Sequence, residues 1–393
     1  MMKLINSIKN NFLNEQTDPH KPFFLTAFIG GFFGIMLWLF EKGNMSLLWH
    51  PEIMVTNYLL PIAAGFLLVS IPKFLGSIPT KPIDRILFFS LFWVLLILAV
   101  LQKKEIYYIV KLFLLLYFGL YLIIRYVKKK GMVPYFFPFV IFAFLLALSG
   151  TVVQNLYYQS IIVDAQLLFV IKKIYFHGFF WVLFSGVASK FLPMLMGVAP
   201  KPAPKDKKFY INPFSLNVWY IVSALLVSTY VLESFGMITE GVILRAFVVF
   251  FIAYKGWHLF EKTKQKSTLG LLIKIILWHA LAGHLLIAAF PKHVVHLAHI
   301  IFVGAFSTGS LIVMTRVYLG HAGISFEMEK QSKLYLAAII ILIIALHTRV
   351  SSFVLKTYER HLEMASLTWG VAIILWIIAI THWFKSHKKK AGA

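Results

Sequence analysis

"HVVHLAHIIFVGAFSTGSLIVMTRVYLGHAG", residues 293–323, sets a long apolar run between three histidines and a fourth. His293, His296 and His299 recur every three residues, so on a helix they form one slowly drifting stripe. The run from 295 to 317 is long enough, at about 1.5 Å per residue, to cross a hydrocarbon core of about 30 Å. Arg316 and His321 stand at its far end. This stretch reads as a membrane-spanning helix led by imidazoles, and the rest of the chain can be read outward from it.

Composition agrees. Of 393 residues, 60% are hydrophobic and 13% charged, where a soluble domain carries about a quarter charged. Twelve apolar runs can be drawn, at 23–40, 54–71, 83–101, 106–127, 134–153, 174–192, 215–232, 238–257, 269–290, 295–317, 334–353 and 363–384. Residues 1–22 are polar and lack a small-residue cleavage pattern, so no cleavable leader is expected. The expected fold is an all-α polytopic transmembrane helix bundle of about 12 spans. The stretch "APKPAPKDKKFYINP" is rich in Pro and Lys. It divides the chain into a six-span half at 1–198, a cytoplasmic linker at 199–214 and a second half at 215–393.

The net charge of +23 has a topological origin. Alternate segments between the runs hold 26 of the 38 Lys and Arg, and the opposite loops hold seven. By the positive-inside rule the crowded side is cytoplasmic, with both termini inside. Anionic lipid headgroups account for the excess charge, and no nucleic-acid partner is expected. There is no cysteine, which excludes disulfides, thiolate metal sites and covalent c-type haem attachment. Any metal must therefore bind histidine, carboxylate, methionine or backbone oxygen.

Topology sorts the fourteen histidines by depth. His50, His177, His279, His284, His293, His296, His299, His347 and His361 gather on the outer side, and His20, His258, His321, His382 and His387 lie towards the inner face. Two readings of the outer group stand side by side. Histidine is at ease at a membrane interface and needs no ligand there. Inside a span, however, an ionisable group is costly and marks a functional candidate, and bundles commonly build metal or haem sites from facing helices. His177, His279, His284 and His299 meet that condition on three helices. No phosphate loop, zinc-helix motif or serine elbow is present. No His-His pair exists for a haem-copper oxidase, and the carboxylates cluster at span ends, which weakens a proton-coupled transporter.

Three stretches carry a family resemblance. They are "DPHKPFFLTAFIGG" (residues 18–31), "LWHPEIMVTNYLLPIAAGFLLVSIPKFLG" (48–76) and "HIIFVGAFSTGSLIVMTRVYLGHAG" (299–323). They resemble the NnrS family of polytopic haem- and copper-containing membrane proteins. Weaker matches are Lys255-Gly256-Trp257 followed by His279, and His177 followed by Pro193. The resemblance implies a role in nitric oxide metabolism or protection against nitrosative stress, with nitric oxide as ligand or substrate. It places His50, His177, His279, His299, Arg316 and His321 on motif positions as cofactor-binding candidates.

The outer four of these form the expected ligand pool. Arg316 and His321 lie roughly 18 residues or 27 Å further along the tenth helix, too far for the same iron. Arg316 is left to a second haem's propionate, another anion, a neighbouring helix or a cytoplasmic anchor. Where the family reads Trp-His-x-His-Glu-Met, this chain has Trp49-His50-Pro51-Glu52-Ile53-Met54, and Lys190 stands where the family has Arg. Glu52 is a hard ligand that suits Cu(I) poorly. The metal-ligand candidates are His50, Glu52, His284, His296 and His299, with His293 and His296 read as interfacial or as an entry relay. The expected protein is an inner-membrane haem protein, with copper as a second cofactor candidate. The contrasting expectation is a cofactor-free transporter or structural membrane protein. No electron-donor site is visible, and the sequence leaves turnover open.

Overall fold

The computed structural model describes residues 20–40, 44–198, 216–263, 268–325, 327–352, 354–355 and 357–391, and no strand occurs among them. The chain runs through α1 (His20–Phe40), α2 (Ser46–Leu75), α3 (Pro82–Val100), α4 (Lys104–Val127), α5 (Phe137–Tyr158), α6 (Ala165–Leu195) and α7 (Leu216–Ser234). It continues through α8 (Ile238–Phe251), α9 (Thr268–Ala289), α10 (Pro291–His321), the short α11 (Met328–Gln331), α12 (Lys333–Ser351) and α13 (Tyr358–Ser386). Eleven of these, all but α8 and α11, are long and apolar enough to cross a membrane. The fold is an all-α polytopic bundle. The run expected at 238–257 is also helical, but it carries Glu240, Arg245 and Lys255 and falls outside the eleven. The Pro/Lys-rich linker at 199–214 lies outside the described residues.

The chain divides into two compact units: Met1–Leu37, Glu41–Gly186 and Phe214–Tyr230 form the first, and Trp38–Phe40, Val187–Pro213 and Val231–Ala393 the second.

In the first unit, α4 shows how a membrane reverses the usual amphipathic rule. Its inward face carries Tyr107, Tyr108, Lys111, Tyr121 and Arg125, while Ile109, Phe113, Leu116, Leu120 and Ile123 face outward. Lipid accepts the aliphatic stripe, so polar groups turn inward where partners exist. Arg125 lies over the Tyr121 ring and donates to Asp84, which also accepts from Tyr117. Pro82 opens α3, where its missing N–H costs nothing.

In the second unit, α9 and α10 form a hairpin through a 3₁₀ turn at Pro291–His293, and α12 packs along α13. Trp369 and Trp376 of α13 donate to Ser307 and Thr315 of α10. Arg245 of α8 is neutralised by Glu233.

Among the described residues, four π-helical segments interrupt the regular ladder: Ile53–Leu59 in α2, Ile174–Phe179 in α6, Ile252–Gly256 after α8, and Ile300–Ser307 in α10. Such segments make up well under 1% of residues in ordinary proteins and concentrate at functional sites. The first has a visible local cause. Pro61 has no N–H to return to the Asn57 carbonyl, so the α-helical ladder fails there.

Candidate functional site

Each of the four histidines expected to form the ligand pool lies at or against a π-helical segment. In the first unit, His50 precedes Ile53–Leu59 by three residues, and His177 lies within Ile174–Phe179. In the second, His299 immediately precedes Ile300–Ser307, and the His279 ring lies on Gly304 of that same segment. A Cβ added at Gly304 would come within 2.7 Å of His279 Cδ2. Gly304 is therefore the seat of an imidazole.

Backbone carbonyls orient these rings. His50 donates its Nδ1–H to the Gly34 carbonyl at 2.9 Å. His279 donates to Ile275 at 2.7 Å, His284 to Ala280 at 2.9 Å and His299 to Val295 at 2.7 Å, each reaching the carbonyl four residues back. A carbonyl only accepts, so the tautomer is fixed with the proton on Nδ1, and only Nε2 can ligate a metal. Metal-binding histidines are commonly held this way by their second nitrogen. The bond also limits ring rotation, which lowers the entropy lost on ligation. For His177 a different anchor is present, because Tyr230 donates to its backbone carbonyl at 3.2 Å.

The remaining candidates have separate surroundings. His284 is buried on α9 and His293 is exposed. Arg349 of α12 donates to His296 Nδ1 at 3.1 Å. Arg316 Nη2 donates to Glu329 Oε2 of α11 at 2.6 Å within an ion pair whose Nε–Oε1 distance is 2.5 Å, which is the neighbouring-helix alternative among its expected roles. Burial raises the Glu329 carboxyl above its ordinary range, and the Arg316 guanidinium opposes that shift. His321 is exposed at the end of α10.

Glu52 has a defined set of partners. Both Glu52 and Lys111 are fully buried, and Lys111 Nζ meets Glu52 Oε2 at 2.8 Å. Tyr108 donates to Glu52 Oε1 at 2.7 Å, and Lys111 donates a second bond to Gln154 Oε1 at 2.7 Å. The ammonium also lies 4.0 Å from the centre of the Tyr175 ring, whose hydroxyl meets Thr56. Sequence reasoning missed this cluster. Its signal was a lone lysine inside the 106–127 run, which costs too much in a membrane to stand without a purpose.

These observations bear differently on the two cofactors. Imidazoles with Nδ1 already engaged fit haem iron, which would take one or two of them through Nε2. Copper fits poorly at the second motif position. Both Glu52 oxygens are engaged, and no group of three His, Asp or Glu arranged for a metal occurs among the described residues.

No curated protein matches the chain. The family model described as "NnrS protein" matches residues 16–388, which takes in every candidate site residue. The chain belongs to the NnrS family of membrane proteins.

Proposed function

We propose that this chain is a haem protein of the bacterial inner membrane, with both termini in the cytoplasm, acting in nitric oxide metabolism or protection against nitrosative stress. Family membership supports the nitric oxide context, and the Lys and Arg distribution supports the orientation. The observation that carries the haem reading is the recurrence of histidines at π-helical segments, with three of the four rings locked through Nδ1.

The residues that would hold haem are drawn from His50, His177, His279 and His299. Bound haem would supply an iron centre able to take nitric oxide as a ligand. The chain's own contribution is to fix the tautomer and limit the rotation of the His50, His279 and His299 rings and to keep the surroundings apolar. Gly304 leaves room for His279, and the wide turn of the π segment carries His299 at its start. Copper is not part of this reading, given the partners of Glu52.

A cofactor-free transporter is the second reading, and the buried Glu52–Lys111–Gln154 cluster is the observation that favours it. The two are separated by oxidised and dithionite-reduced optical spectra of the detergent-purified protein, with iron and copper analysis, before and after adding nitric oxide. A Soret band with stoichiometric iron that shifts with nitric oxide supports the haem reading. A colourless protein from haem-supplied cells overturns it in favour of the transporter.

A further inference from the structure

Membrane interiors make every buried cation account for its charge. Lys111 does so with Glu52, Arg125 with Asp84 and Arg245 with Glu233, and the partly exposed Arg316 pairs with Glu329. Arg349 differs. It lies near the outer end of α12 and is only 9% exposed. The partners of its Nη1 are neutral: His296 Nδ1 at 3.1 Å and Ser352 Oγ at 3.2 Å. Among the described residues no carboxylate forms an ion pair with it.

A guanidinium has five N–H donors in a planar fork matched to an oxyanion. His296, Ser352 and the Tyr358 hydroxyl, all neutral, engage part of this fork, and its five donors outnumber these three partners, so that N–H groups remain for a carboxylate. The C-terminal end of α12 offers Arg349 some relief through the helix dipole. That effect is small beside the desolvation of a buried charge. His296, which Arg349 contacts, lies one helical turn before His299 on α10, and the Tyr358 ring packs edge-on against His296.

The geometry points to Arg349, steadied by His296 and Ser352, as the site that holds a carboxylate of haem bound through His299. This rests on the haem reading above and assigns the propionate anchor to the outer side of the second unit. Arg316 is not needed for that role, because Glu329 already neutralises it. An arginine–carboxylate pair here would fix haem orientation as well as affinity, since the fork accepts its partner in one plane.

The test uses full-length protein purified without haem and titrated with haem or with haem dimethyl ester, whose carboxylates are blocked. The Soret absorbance is the readout. Wild-type protein should bind the free acid at least ten-fold more tightly than the ester. Arg349→Gln should lose that preference while keeping its Soret position, and Arg349→Lys should retain part of it. Equal affinity of wild-type protein for acid and ester overturns the assignment without requiring any variant to fold. An Arg349→Gln protein that binds haem as wild type does, but loses affinity for vesicles containing anionic lipid, overturns it in favour of a headgroup phosphate. Absence of haem binding by wild-type protein is a different failure, because it removes the haem reading itself.

Discussion

Glu52 of α2 and Lys111 of α4 meet at 2.8 Å with neither side chain exposed, 59 residues apart in sequence. Tyr108 and Gln154 complete the set, so this ion pair ties three helices of the first unit together. Glu52 lies two residues after His50 and immediately precedes the first π-helical segment, so the pair stands beside both. Removing one partner leaves an uncompensated buried charge, at a cost of about 3–5 kcal/mol. Lys111→Met and Glu52→Gln should each reduce stability by that order, whereas the double variant should lose less than the sum. Denaturation of the detergent-solubilised proteins in a double-mutant cycle provides the check. Strictly additive losses would show that the two charges do not depend on each other.

The ligand pool predicts a graded loss of haem. His299→Ala and His279→Ala should each lower haem per polypeptide several-fold, with His50→Ala and His177→Ala tested in parallel. His258, outside the spans and bonded to Glu261 at 2.6 Å, is the control, and its alanine variant should retain full haem content. Pyridine haemochromogen assays on equal amounts of folded protein decide it. If no single histidine of the four changes haem content, the pool is wrong.

Gly304 tests the seating of His279. Alanine there places a Cβ 2.7 Å from the imidazole, closer than such contacts normally come. Over-packing of this kind costs about 1–3 kcal/mol. Gly304→Ala should lower the thermal midpoint and broaden or shift the Soret band together. Gly309, whose nearest added contact is an ordinary 3.5 Å to Ile276, should tolerate the same change. A Gly304 variant with an unaltered spectrum would show that the His279 ring can move without consequence for the site.

Arg316 separates structure from cofactor. Its pair with Glu329 is partly exposed, 19% on the arginine and 3% on the carboxylate. A hydrogen bond to a charged group of this kind contributes about 1.5–3 kcal/mol, so Arg316→Gln should lower stability within that range. Haem content should stay at the wild-type level. Loss of haem without loss of stability would return Arg316 to the cofactor site.

Much of this was legible in the sequence because hydropathy is a local property. Spans of about 20 apolar residues announce themselves. The motif around His50 and the one beginning at His299 are continuous stretches, so they too could be read directly. The π-helical segments could not. A helix apolar on every face has the same hydropathy whether it winds by 3.6 or more residues per turn. Ile300–Ser307 is such a stretch, and nothing in its composition marks it as wound more widely than an ordinary helix. Lys111 was visible as a charge within a span, but its partner was not, because Glu52 reaches it only through the packing of α2 against its neighbours. Arg349 stands close enough to the end of its run to pass for an interfacial anchor, and only its burial and neutral partners set it apart.

The π-helical segment after His299 has a consequence for how this helix tolerates change in length. A stretch of i→i+5 bonding accommodates an inserted residue within an otherwise continuous helix, and each residue of an α-helix advances the azimuth by about 100°. The two ends of α10 are thus held in a phase relation that an unbroken α-helix of the same sequence would not have. Deleting a single residue between Ile300 and Ser307 would let the segment relax to ordinary winding without changing its apolar character. The imidazole end would then swing round the helix axis relative to the Arg316 end. A chain that looks unaltered by hydropathy would point its histidines at a different neighbour, so along this helix the spacing of residues matters as much as their identity.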